Sequence, residues 1–149
     1  MNHTLPHRRD VAALIDKYAE SHLNPANEVI HFICVPAIVL SILGLLWAVH
    51  PLLAIAGSVM ALVYYFMLSV PLAVGMLAML AAMLGLVSSV PAHMLLGVSI
   101  GIFVVAWIGQ FIGHKIEGKK PSFFDDVRFL LIGPLFVIGF LYRKFKIAY

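Results

Sequence analysis

Apolar residues fill the middle of this chain without a single interruption by charge. No Asp, Glu, Lys or Arg occurs between Val29 and His114. A water-soluble fold with such a stretch would expose a large apolar surface. A bilayer requires it, because a charge at mid-depth costs a few kcal/mol or more. The pattern therefore predicts an integral membrane protein.

Prolines divide this uncharged stretch into segments of transmembrane length. At roughly 20 residues per span, the breaks around Pro51, Pro71 and Pro91 leave room for four helices. Pro36 falls inside the first of them and predicts a kink there. The predicted spans cover residues 29–49, 52–69, 72–89 and 93–113.

Two pairs of glycines, each four residues apart, lie in the fourth predicted span. They are Gly97 with Gly101 and Gly109 with Gly113. Small residues at this spacing let helix backbones approach closely in membranes. We expect both pairs to face a neighbouring helix.

Basic residues occupy the two ends of the chain, before Val29 and after His114. An even number of spans puts both ends on one side, and the positive-inside rule then predicts that both termini are cytoplasmic. The net charge of +3 is thus explained by orientation and by contact with anionic headgroups. The bilayer is the expected partner, and no nucleic-acid partner is expected.

Two shorter segments are predicted at the ends of the spans. Apolar positions over residues 11–22 fall on one helical face, which indicates an amphipathic helix lying along the membrane surface. The apolar segment 129–141 is too short for a typical span and precedes a basic cluster, so a re-entrant or interfacial position is predicted, with a fifth span as the alternative. The expected fold class is all-α: one membrane domain over residues 1–149, built as a four-helix bundle.

Three of the seven histidines are predicted to converge at the cytoplasmic face. His22 ends the surface helix, His31 opens the first span and His114 closes the fourth. The other four lie in the outer loops or the N-terminal tail. Neutral imidazole suits iron, zinc, copper or nickel, so the three rings could surround one metal ion. The alternative is that each histidine caps a helix or lies at the interface.

Polar residues near these histidines extend the candidate site. Glu117, one helical turn after His114, could add a carboxylate ligand, and Gln110, one turn before it, could support a ligand from behind. Asn24 and Asn27 either orient the histidines or cap helices, with Asn27 expected as the cap of the first span. Cys34 is either a thiolate ligand or a buried apolar thiol.

Two stretches carry a resemblance to a known family. Residues 22–31 read His-Leu-Asn-Pro-Ala-Asn-Glu-Val-Ile-His and are followed by Val35-Pro36. Residues 107–114 read Trp-Ile-Gly-Gln-Phe-Ile-Gly-His. Together they resemble the membrane 2-hydroxy fatty acid dioxygenase family, over nearly the whole chain from about Tyr18 to Phe136. Cys34 departs from the small residue expected before the Val-Pro pair.

The resemblance implies iron(II)-dependent α-oxidation. A 2-hydroxy fatty acid and O2 would give a fatty acid one carbon shorter, with loss of the carboxyl carbon as CO2. The histidines of the family match His22, His31 and His114 here, which implies that they hold Fe(2+). Glu117 and Gln110 would then act at the catalytic site. Lys115 could attract the substrate carboxylate, beside its ordinary role in topology.

Two other functions remain open from the sequence. One is a zinc-dependent membrane hydrolase of a lipid amide, with Glu117 or Asp125 as the base. The other is a small helical scaffold without catalysis. The oligomeric state is also open, a homo-oligomer included. The membrane expected is a bacterial inner membrane, or the endoplasmic reticulum if the chain is eukaryotic.

Overall fold

The computed structural model describes residues 23–118 and 131–148, together with Ala13, Ile15 and Asp16. Within these residues the chain is helical and contains no strand. Four helices are long and apolar enough to cross a membrane, which confirms the predicted all-α fold with four candidate spans. These are α1 (Pro25–Val49), α2 (Pro51–Leu68), α3 (Val70–Ser89) and α4 (Ala92–Glu117), and they are followed by a shorter α5 (Ile132–Lys144).

The predicted breaks fall between the helices and are very short. His50 separates α1 from α2: its backbone N–H donates to Leu46 O at 2.9 Å, and its ring Nδ1 accepts from Leu52 N at 3.1 Å. Ser69 is likewise both the C-cap of α2 and the N-cap of α3. Pro71, expected within a break, lies in the first turn of α3, where a missing N–H breaks no intrahelical bond.

The first helix begins earlier than predicted. Asn24 caps it, with its side-chain oxygen accepting from Ala26 N at 2.9 Å, and Pro25 supplies a backbone angle already suited to the first turn. The expectation that Asn27 is the cap is therefore wrong, since Asn27 lies inside the helix and is completely buried.

The first and fourth helices are longer than a bilayer core requires. At 1.5 Å per residue, the 25 residues of α1 and the 26 of α4 span about 37 and 39 Å, against a hydrocarbon thickness of roughly 30 Å. Their charged residues all lie at the end where α1 begins and α4 ends. This end of the bundle is called the site end below.

The bundle is organised around α1. Helix α1 contacts α2, α3 and α5, and packs most extensively against α4. One apolar core joins α1, α2, α3 and α5 and includes Leu95 near the start of α4. A smaller one, around Ile38, Ala106 and Trp107, fills the space between α1 and α4. Large apolar side chains stay exposed along the outside of all four long helices, a surface that a bilayer would cover.

The two glycine pairs of α4 differ in their surroundings. A Cβ on Gly109 would lie 2.6 Å from Sγ of Cys34, and one on Gly113 would overlap the side chain of Asn27. This second pair therefore faces α1, as predicted. At Gly97 and Gly101 an added Cβ would meet nothing within 4 Å among the described residues, so the same expectation is wrong for the first pair.

Helix α5 lies at the site end of the bundle. The Tyr65 hydroxyl, near the end of α2, donates to Leu131 O at 2.8 Å, and the Tyr142 hydroxyl donates to Pro71 O at 2.7 Å. With 13 residues the helix is about 20 Å long, shorter than a bilayer core. A re-entrant or interfacial position stays a prediction.

The predicted surface helix over residues 11–22 lies mostly outside the described residues. Of its apolar face, Ile15 is described and is buried. An amphipathic helix on the membrane therefore stays a prediction, as does the kink at Pro36.

Candidate functional site

Buried polar side chains gather at the site end, on α1 and α4. Asn27, His31, Gln110 and His114 are each less than a tenth exposed. A polar group buried in an apolar bundle costs free energy unless it has partners. Four of them within this part of the two helices mark a candidate functional site.

A hydrogen bond fixes the orientation of the His31 ring and shows that Nδ1 carries a proton. Its Nδ1 lies 2.9 Å from the backbone carbonyl oxygen of Asn27, one turn earlier in α1. A carbonyl oxygen can only accept, so Nδ1 carries the proton and donates. In the neutral ring the lone pair is then on Nε2, the nitrogen suited to bind a metal ion or to accept a proton.

His114 lies against this ring from the other helix. The two imidazole centroids are 5.4 Å apart, with an interplanar angle of 81°. Gly113 permits the approach, because a Cβ there would be 3.0 Å from Cε1 of His31 and would overlap the Asn27 side chain. Two of the three histidines predicted to converge are thus neighbours in the structure.

Glu117 connects the ends of the same two helices. Its Oε1 accepts a hydrogen bond from the backbone N–H of Asn24. A carboxylate at that position also interacts favourably with the amino end of α1. Lys115 is exposed, as expected for a residue that contacts headgroups or attracts an anion.

Gln110 is the residue of the candidate site that lies deepest along α4. It is 4% exposed and lies one turn before His114, and its Oε1 has no hydrogen-bond partner among the described residues. A buried acceptor without a partner costs about 1–3 kcal/mol. This amide is therefore placed to interact with a molecule that enters the site.

The structure leaves part of the predicted ligand set open. His22 and Asp125 lie outside the described residues. Among the described ones, no group of three or more His, Cys, Asp or Glu side chains lies close enough to hold a metal ion. Cys34, the alternative ligand, packs against Gly109 instead. The complete three-histidine site stays a prediction.

Sequence reasoning missed two contacts in the site. Asn27 was a candidate for orienting a histidine, but the contact to the His31 ring is made by its backbone carbonyl. The four-residue spacing of Asn27 and His31 is the signal that could have indicated this contact. Gly113 provides the room for the two rings. Its spacing from Gly109 predicted a close helix contact, but the sequence did not identify which side chains meet there.

These features define a class of protein: a helical, multi-pass membrane protein with a pair of buried imidazoles at one end. A family model described as 2-hydroxy-palmitic acid dioxygenase Mpo1-like matches residues 8–145, and the chain belongs to this family. It is also 31% identical over 144 residues to the 2-hydroxy-palmitic acid dioxygenase MPO1 of Saccharomyces cerevisiae, an alignment that covers 90% of this chain and 81% of the yeast protein. No solved structure matches it significantly. The resemblance carried by the two motifs is thereby confirmed.

Proposed function

We propose that this chain is a membrane-embedded dioxygenase that shortens 2-hydroxy fatty acids by one carbon and uses iron(II). The observation that carries the proposal is the buried pair of His31 and His114, in which the carbonyl of Asn27 orients the His31 ring. The name of the yeast relative supports the substrate class. The reaction balances without another reductant: the 2-hydroxy acid and O2 give the shortened acid, CO2 and water, with four electrons passing to O2.

Three histidines would hold the metal ion: His31, His114 and His22. Bonds from a metal to imidazole nitrogen are about 2 Å long, and rings with centroids 5.4 Å apart are close enough to share one ion. Neutral imidazole suits iron, and a site with open positions suits oxygen chemistry. When bound, iron would bring the hydroxyl and carboxylate of the substrate together with O2.

The surrounding residues would prepare the site for this substrate. The Asn27 carbonyl accepts a hydrogen bond from Nδ1 of His31, which places the lone pair of the neutral ring on Nε2, the atom that would bind the metal ion. The Gln110 amide can accept from the 2-hydroxyl or donate to the carboxylate. Lys115 at the surface attracts the carboxylate, and the bond between Asn24 and Glu117 holds the ends of α1 and α4 together beside the site.

The proposed setting is a membrane with both termini in the cytoplasm. The basic ends support this orientation through the positive-inside rule. The candidate site would then lie near the cytoplasmic face of the membrane. We propose a bacterial inner membrane, or the endoplasmic reticulum in a eukaryote.

Elemental analysis of protein purified in detergent without oxygen and supplied with iron(II) tests the proposal. We expect close to one equivalent of iron in the wild type, and a loss of that iron in His31→Ala and His114→Ala. His93→Ala is the matched control, since His93 is exposed at the far end of α4. It should retain the iron.

The same preparations separate the rival functions. Consumption of O2 and release of CO2 from 2-hydroxy-palmitic acid, both lost in His31→Ala, would support the dioxygenase. Tightly bound zinc with turnover that needs no O2 would instead favour a hydrolase. If no preparation contains metal and all three variants fold normally, the remaining function is that of a non-catalytic scaffold.

A further inference from the structure

A groove of about 300 Å³ opens between α1 and α4 on the outside of the bundle. It is called the α1–α4 groove below. Small residues leave room for it, chiefly Ala37 on α1 with Gly101 and Ala106 on α4. Its edges are apolar and open to the outside, with Ile33 67% and Val105 68% exposed. In a bilayer, this groove is reached sideways from the lipid.

The groove begins next to the candidate site and lies further along the same two helices. Cys34 lines its nearest part and lies three residues after His31, less than one turn away. On α4, Gln110 lies between His114 and Ala106, one turn from each. Gly101 lines the far part, about 20 Å along α4 from His114 at 1.5 Å per residue. From the site end towards the far end of these two helices, the polar side chains of the site are therefore followed by the apolar lining of the groove.

We propose that the α1–α4 groove binds the acyl chain of the 2-hydroxy fatty acid, and that Gly101 sets the longest chain that fits. This inference rests on the proposed function, because it takes the polar head of the substrate to lie at His31 and His114. An amphiphile requires what is found here: polar groups at one end and an apolar, laterally open path beyond them.

A second apolar cavity is a poorer candidate. It has a volume of about 240 Å³ and lies between α1, α2 and α3. Its nearest residue on α1 is Val39, eight residues or about 12 Å from His31. The buried side chain of Val35 lies on α1 between them. At the site end, the hydrogen bond from Tyr65 to Leu131 ties two of its lining residues together.

Gly101 offers a way to shorten the groove without disturbing the fold. An added Cβ there meets nothing within 4 Å among the described residues, so a larger side chain extends into open space. Gly85 on α3 is the matched control, since it too has open space but does not line the groove. Both glycines lie inside long helices, so the same substitution has the same effect on helix propensity at each.

The first test is the chain-length preference of Gly101→Leu and Gly85→Leu, measured as kcat/KM for a series of 2-hydroxy acids. We expect Gly101→Leu to lose about tenfold or more with 2-hydroxy-palmitic acid and to keep its activity with 2-hydroxy-octanoic acid. Gly85→Leu should match the wild type at every length. An equal effect of Gly101→Leu at all lengths, or none, would overturn the role of Gly101.

The second test needs no turnover. A 2-hydroxy-palmitic acid with a diazirine at its methyl end is photo-crosslinked to wild-type protein without O2, and the modified peptides are mapped. Labelling concentrated in residues 33–37 and 101–106 supports the α1–α4 groove. Labelling around Tyr65 and Met76, or evenly over the lipid-facing surface as for bulk lipid, would overturn it.

The two tests keep the two proposals apart. If the wild type turns over no 2-hydroxy acid of any length, the proposed function fails, and the crosslinking map alone decides whether the groove binds the chain. If the wild type is active but labelling lies elsewhere, the groove fails and the function stands.

Discussion

The close contact at Gly113 allows a sharp test of how the candidate site is built. In Gly113→Ala, the new methyl group would overlap Oδ1 of Asn27 and lie 3.0 Å from Cε1 of His31. Neither neighbour can turn away easily, because Asn27 is fully buried and His31 is 4% exposed. The two helices must therefore move apart at this level, or the side chains must leave their positions.

The expected magnitude follows from two opposing effects. Overpacking of a buried contact costs about 1–3 kcal/mol, whereas replacing a helical glycine by alanine gains up to about 1 kcal/mol in helix propensity. The net loss should be about 1–2 kcal/mol in the free energy of unfolding. Iron binding should suffer more, by roughly 10–100-fold, as for other changes that disturb the orientation of a metal ligand.

Reversible unfolding in mixed detergent and iron titration under argon measure both quantities. Gly97→Ala is the control, since it lies on the same helix with open space around it. This control should be as stable as the wild type or slightly more so, with unchanged iron affinity. If Gly113→Ala behaves like Gly97→Ala in both assays, the close approach of α1 and α4 is not what brings the two imidazoles together.

Two further substitutions examine single polar contacts. In Gln110→Leu, a buried amide oxygen without a described partner is removed, so the free energy of unfolding should stay level or rise by up to about 1–3 kcal/mol, while KM for the 2-hydroxy acid rises. A marked loss of stability would mean that the amide serves the fold. Glu117→Gln should retain the iron of the wild type, because the carboxylate already accepts from the backbone N–H of Asn24 and an amide oxygen can do the same. Loss of iron in that variant, seen by elemental analysis, would make Glu117 a ligand.

Much of the bundle could be predicted from the chain because two physical constraints govern it. The cost of charge in a bilayer and the effect of proline on helices fix where spans can lie, and four helices formed there. The boundaries were less accurate at the site end. The stretch without charged residues ends at Val29 and His114. The helices continue beyond it through polar residues, until Asn24 and Gly118 cap them.

The glycines show where sequence reasoning stops. Gly97 with Gly101 and Gly109 with Gly113 have the same spacing on one helix, yet the second pair alone packs against α1 among the described residues. Which pair packs against a neighbouring helix depends on the crossing angle between the two helices. The spacing of glycines along the sequence does not determine that angle.

The candidate site was predictable in part for a similar reason. Topology alone placed His31 and His114 at one end of the bundle. Successive helices run in opposite directions, so the end of the fourth helix lies at the same side of the membrane as the start of the first. It could not supply the ring separation or the carbonyl behind His31. The contribution of His22 stays a prediction.

The shared cap residues have a consequence for how this protein enters its membrane. His50 belongs to the end of α1 and to the start of α2, and Ser69 joins α2 to α3 in the same way. One residue spans less than about 4 Å, so neighbouring helix ends cannot separate without unwinding. In the folded protein, α1 therefore cannot shift along the membrane normal without moving α2. We expect α1 and α2 to cross the membrane as one hairpin and α3 to follow closely, so that their turns matter for insertion as well as for the finished fold.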